Sequence, residues 1–177
     1  MNRKPETIRF YRKRLPHWEV RNGLYFVTIR QSGSIPRDEL ESLIALSKTF
    51  EGNHGIEYQQ KKFITLENLL DNNGNGNLTE KAYSEIISDA IKYRNHLEKW
   101  RMIEYVIMPN HIHLFFNANG NNLSGLIKDF KRWTTTEFKK LGDAKEVRWQ
   151  REWFDHWSRS DVKDERIIKY IRDNPVK

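Results

Sequence analysis

The chain has 177 residues, with 31 Lys and Arg against 24 Asp and Glu, for a formal net charge of +7, and a mean hydropathy of −0.84. It holds no cysteine, which excludes disulfides, zinc–thiolate centres and cysteine nucleophiles. No apolar run approaches the roughly 20 residues that span a bilayer, so no membrane contact is expected. A set of 9 Phe, 7 Tyr and 6 Trp argues against disorder, and the length suits one domain, 1–177, around its own core. The N-terminus is basic but has no apolar h-region, so no signal peptide is expected and the cytoplasm is the expected location. The basic surplus favours a polyanionic partner through phosphate contacts and counterion release.

Residues 1–22 read as a basic, irregular arm. Arg3, Lys4, Arg9, Arg12, Lys13, Arg14 and Arg21 are interleaved with Phe10, Tyr11, His17 and Trp18. Cations mixed with rings suit a flexible nucleic-acid strand, phosphates on the former and bases on the latter; a solvated tail that packs one or two aromatics on the core would read the same way. Leu24 to Arg30 follows Asn22-Gly23 and is β-branched and aromatic, which predicts a strand. A loop around Gly33 and Pro36 leads to a predicted helix over 37–51, with Leu40, Leu43, Ile44 and Leu46 on one side. Residues 56–70 fit neither period clearly. The Asn- and Gly-rich stretch 71–77 is a turn or surface loop. Thr79 is placed to cap a helix reaching about residue 95, with Ala82, Ile86, Ala90 and Ile91 or Tyr93 inward.

A strand is predicted over 100–107, then a tight connection through Met108-Pro109-Asn110 into an apolar strand that starts His111-Ile112-His113. Side chains alternate across a strand, so both imidazoles share one face, roughly 7 Å apart along it. Two imidazoles on a rigid strand are ready ligands for one divalent metal; histidine pairs on strands also occur simply as hydrogen-bonded polar residues. Residues 123–141 form a basic amphipathic helix. Leu126, Ile127, Phe130, Trp133 and Phe138 face inward, and Lys128, Lys131, Arg132, Lys139 and Lys140 face out. Asp161 or Asp164 caps a last helix, 161–174, that Pro175 ends. Tyr170 and Asn174, four residues apart, project together from it. Tyrosine oxygen can attack phosphorus when a divalent cation helps overcome its pKa near 10. The Asn174 oxygen suits a hard ion such as Mg²⁺ or Mn²⁺. Elements of both kinds joined by short turns predict an α+β domain with a mostly antiparallel sheet.

With these segments in view, the chain resembles the REP-associated tyrosine transposases, relatives of the single-tyrosine transposases of the HUH nuclease superfamily. The likeness rests on Arg14-Leu15-Pro16-His17-Trp18, Tyr25-Phe26-Val27-Thr28, the segment from Val106 to Leu114, Trp149-Gln150-Arg151-Glu152, Phe154-Asp155-His156 and Tyr170-Ile171-Arg172-Asp173-Asn174-Pro175-Val176-Lys177. It implies the HUH, ferredoxin-like fold: a central antiparallel sheet flanked by helices, with the histidines on a central strand. It implies His111 and His113 as metal ligands, Tyr170 as nucleophile and Asn174 as the residue completing the metal site. It implies a hairpin-bearing single-stranded DNA substrate and a 5′-phosphotyrosine intermediate. Arg12, Lys13 and Arg14 are the expected hairpin contacts, with Lys128, Lys131 and Arg132 as further DNA-binding candidates and His156 as a site neighbour. A monomer is expected rather than a dimer that exchanges the tyrosine helix. Members commonly continue past the terminal motif, so a sequence ending at Lys177 would hold that helix more loosely. The rival readings are a domesticated hairpin-binding protein that cuts nothing, a metal-dependent nuclease that uses water, and an RNA-binding protein.

Overall fold

The computed structural model describes residues 3–4, 6–12, 16–39, 41–42, 56–142 and 147–174. Strands β1 (Thr7–Arg12) and β2 (Pro16–Val20) pair with each other. Strands β3 (Leu24–Arg30), β4 (Arg101–Ile107), β5 (His111–Asn117) and β6 (Phe154–Trp157) form a sheet in the order β4–β5–β3–β6, antiparallel throughout. The helices are α1 (Ile56–Asn72), α2 (Lys81–His96), α3 (Leu123–Lys140) and α4 (Asp161–Asp173). The predicted α+β architecture, a central antiparallel sheet flanked by helices, is the observed one. Among the described residues, no helix is long and apolar enough to cross a membrane.

Alternation along β3 and β5 divides the core in two. Tyr25, Val27 and Ile29, with Ile112, Leu114 and Phe116, turn to one face and pack on α2 and α3 through Ile87, Ile91, Ile127 and Phe130. Burying each such side chain contributes about 1.5–3 kcal/mol. Phe26 and Phe115 turn to the other face, where Ile167, Ile168 and Ile171 of α4 cover them. Leu66 and Leu70 of α1 pack there with Ile35 and Phe154. The same alternation sends Thr28, Arg30, His111 and His113 toward α1 and α4.

Several local expectations need correction. Residues 7–12 and 16–20 are not irregular: β1 and β2 make an antiparallel ribbon, with Phe10 edge-on to Trp18 and the Trp18 indole donating to Thr7. The ribbon is fastened to the sheet by the buried His17–Asp155 pair and by the Val20 amide, which donates to the Tyr25 hydroxyl. Residues 56–70 are helical. Helix α2 is capped at Glu80, not Thr79, and buries Tyr83, Ile87, Ala90, Ile91 and Arg94, so Ala82 and Tyr93 face out. The cap of α4 is Ser160, which accepts from the Lys163 amide; Asp161 and Asp164 instead occupy the first turn, where their charge suits the helix N-terminus. Helix α3 matches its predicted span. Asn122 caps it, and the buried Glu19 of β2 accepts from Asn122 Nδ2 and the Ser124 amide. The predicted helix 37–51 is helical at 37–39 and 41–42, and the rest of it, with Leu40, Leu43, Ile44 and Leu46, lies outside the described residues.

Candidate active site

Residues His111 and His113 stand on β5 opposite Arg30 and Thr28 of β3. Both are buried, and their ring centroids lie 4.6 Å apart. Each Nδ1 is occupied: that of His111 meets Asn110 Oδ1 at 2.6 Å, and that of His113 meets Thr28 Oγ1 at 3.0 Å. The two Nε2 atoms therefore face one another, 3.1 Å apart. Fixing the outer nitrogen of each ring is the arrangement that presents the inner one to a metal.

Asn110 also holds the neighbouring helix. Its Nδ2 donates to the Leu70 carbonyl at 3.0 Å and the Asn73 carbonyl at 2.6 Å, at the end of α1. The turn beyond α1 passes so close to β5 that a Cβ on Gly76 would lie 2.1 Å from the Pro109 carbonyl oxygen. This docking brings in a residue that the sequence reading did not include. Glu67 of α1 is buried, with Oε2 at 3.0 Å from His113 Nε2. Glu67, His111 and His113 offer ligand atoms within 4.8 Å of one another. A signal for Glu67 does exist in the sequence: Phe63, Leu66 and Leu70 form a helical stripe, and Glu67 interrupts it.

Helix α4 folds back over this group. The Tyr170 ring is 5.6 Å from that of His113 and 6.0 Å from that of Phe26, and its hydroxyl donates to Glu67 Oε2. Arg172 Nε holds the helix to Glu104 of β4 at 2.6 Å. Asn174, the C-cap residue, is buried and close enough to the phenol to favour its ionised form. Neither of its amide atoms completes a hydrogen bond among the described residues, and neither does Glu67 Oε1. An orphaned carboxylate oxygen on Glu67, beside two facing imidazoles, is what an ion would satisfy, so the set Glu67, His111 and His113 fits a divalent metal.

Burial, reinforced by His113, pushes the His111 pKa down to about 3 and keeps that imidazole neutral, as a metal ligand must be. Burial would raise the Glu67 pKa, but His113, His111 and the Tyr170 hydroxyl outweigh it and hold the carboxylate ionised below its usual range. Burial, then the Glu67 charge and hydrogen bond, push the Tyr170 phenol well above its usual value. The phenol is thus protonated, with an acceptor already in place.

Among the DNA-binding candidates, Lys13 and Arg14 lie outside the described residues, and Arg12 ends β1 without a described side chain. Lys128 is exposed on α3, and Arg132 is exposed with an Asp129 partner at 2.9 Å. Lys131 Nζ donates to the carbonyls of Gln150 at 2.5 Å and Arg151 at 3.0 Å. His156 pairs with Phe26 across β6 and β3, so it shares the sheet face of the site. Burial, then Lys163 and Arg159, push its pKa down to about 4.

A family model described as "Transposase IS200 like" matches residues 74–174, a stretch that contains His111, His113, Tyr170 and Asn174 but stops short of Glu67. A solved structure described as that of a REP-associated tyrosine transposase bound to a REP hairpin aligns with a TM-score of 0.56 and 17% identity, covering 94% of this chain and 72% of that one. At that identity the likeness is one of fold. No curated relative matches the chain.

Proposed function

The chain belongs to the IS200-like transposase family, and on that premise we propose that it cuts and rejoins hairpin-bearing single-stranded DNA through a 5′-phosphotyrosine. The observation that carries this reading is the convergence of the Tyr170 hydroxyl and His113 Nε2 on Glu67 Oε2. His111, His113 and Glu67, with Asn174 as a neutral oxygen donor, would hold Mg²⁺ or Mn²⁺, which supplies Lewis-acid polarisation of a phosphate oxygen. Glu67 has one oxygen without a partner among the described residues and one that already accepts from the phenol, so it can serve the ion and the nucleophile together.

Tyr170 oxygen attacks phosphorus, and its proton passes to Glu67. The bond between phosphorus and the 3′-oxygen breaks, that oxygen takes up a proton, and the 5′ side stays esterified to Tyr170. The ester conserves the bond energy, so a 3′-hydroxyl can attack it and rejoin the strand. The hairpin assignment draws support from the hairpin carried by the structural relative. The basic residues Arg12, Lys13, Arg14, Lys128 and Arg132 are the proposed phosphate contacts. Lys131 contributes least, since it already serves two carbonyls. Tyr170 reaches Glu67 and His113 of its own chain, which favours a monomer as the acting form.

Incubation with labelled hairpin DNA and Mn²⁺ tests the reading. Wild type should give a denaturation-resistant adduct, Tyr170→Phe should bind the hairpin without forming one, and His111→Ala should lose metal-dependent cleavage. Cleavage with no covalent product would assign the chemistry to water instead.

A further inference from the structure

Arg30 is buried on β3, yet no carboxylate faces it among the described residues. Its one side-chain hydrogen bond there runs from Nη1 to the Ser34 hydroxyl at 3.3 Å. Arginine is almost never buried without a partner, because an uncompensated charge in the interior is costly. The contrast with Arg94 is direct: that buried guanidinium meets Asp129 at 2.8 Å. Burial alone acts on Arg30 and lowers its pKa to about 10, so it remains a cation at neutral pH.

Its position gives the charge a use. Arg30 is the register partner of His111, and directly opposed residues share a sheet face with Cβ atoms about 4.5–5.5 Å apart. Thr28, two residues earlier on the same face, bonds His113. Arg30 therefore lies beside His111 on the sheet face that carries the histidine pair, and its guanidinium reaches the Ser34 hydroxyl. We propose that Arg30 is a phosphate clamp of the site: it takes a phosphodiester oxygen of a single strand laid beside His111, and the missing counter-charge is the nucleic acid's. The planar fork suits two phosphate oxygens at once. This inference rests on the transesterification proposed above, which it supplies with a positioning cation on this chain.

Two measurements on Arg30→Gln and Arg30→Lys test it. In single-turnover adduct formation with saturating hairpin DNA and Mn²⁺, Arg30→Gln should slow the reaction by about 10²–10³-fold. Hairpin affinity should change little, and Arg30→Lys, which keeps the charge but loses the fork, should fall between. In metal-free thermal unfolding, Arg30→Gln alone should melt no lower than wild type, since it removes an uncompensated charge. A short single-stranded oligonucleotide should raise the wild-type midpoint more than that of Arg30→Gln. Adduct formation by Arg30→Gln at the wild-type rate would overturn the proposal, as would equal stabilisation of both proteins by the oligonucleotide. If wild type itself forms no adduct, the transesterification reading fails, and the unfolding comparison alone decides whether Arg30 binds a phosphodiester.

Discussion

Asn110→Ala should injure both the fold and the site, to separable extents. Asn110 accepts from His111 Nδ1 and donates to the carbonyls of Leu70 and Asn73. Removing it deletes three hydrogen bonds of about 1 kcal/mol each, roughly 3 kcal/mol in all, and strands carbonyls at the end of α1. For a domain of this size that corresponds to a melting point lower by about 6–12 °C. The His111 ring also loses the partner that fixes its tautomer, so Mn²⁺ binding should weaken by about 10–100-fold. Asn110→Asp separates the effects. It keeps an acceptor for His111 and loses both donors, so it should melt low while binding Mn²⁺ more nearly as wild type does. Thermal denaturation with and without Mn²⁺, together with calorimetric titration, reads both quantities. An unchanged melting point in Asn110→Ala, or undiminished Mn²⁺ affinity in it, would refute the reasoning.

Gly76→Ala should cost about 1–3 kcal/mol by denaturant unfolding, because its Cβ would meet backbone at Pro109 and not a yielding side chain. Glu19→Ala should destabilise by about 1–3 kcal/mol, since it leaves the Ser124 amide and the Asn122 Nδ2 at the start of α3 without their acceptor. His156 has a folded pKa near 4 against an ordinary 6.5, so the unfolded chain binds its proton first. Stability should therefore fall as pH drops through that window, and His156→Gln should make the fall shallower in unfolding curves taken across it.

What could be read from the residues alone follows from how strongly each segment repeats. Helix α3 was legible to within a residue because Leu126, Ile127, Phe130 and Phe138 hold one period over its whole length. Strand β5 was legible because its apolar run is short and begins at a turn, and the shared face of His111 and His113 followed from alternation alone. The approach of Tyr170 to His113 could only be demanded, since it depends on α4 docking on Phe26 and Phe115 across a distance in sequence that no local period spans. The ribbon was missed because its cations masked the alternation, and its partners, His17 with Asp155, lie far apart in the chain. Glu67 was missed because one acid in a weakly patterned helix looks like surface charge. Only tertiary docking through Leu66, Leu70 and Asn110 turns it inward. Arg30 had the same fate: it ends a strand, where a cation ordinarily meets solvent.

The most direct test of the account is the identity of the covalent linkage. Wild-type protein incubated with hairpin DNA and Mn²⁺, trimmed with nuclease, digested with trypsin and analysed by mass spectrometry should yield a peptide carrying nucleotide through a 5′-phosphate on Tyr170. A modified peptide mapping to another residue, or full strand cleavage with Tyr170 left unmodified, would contradict it.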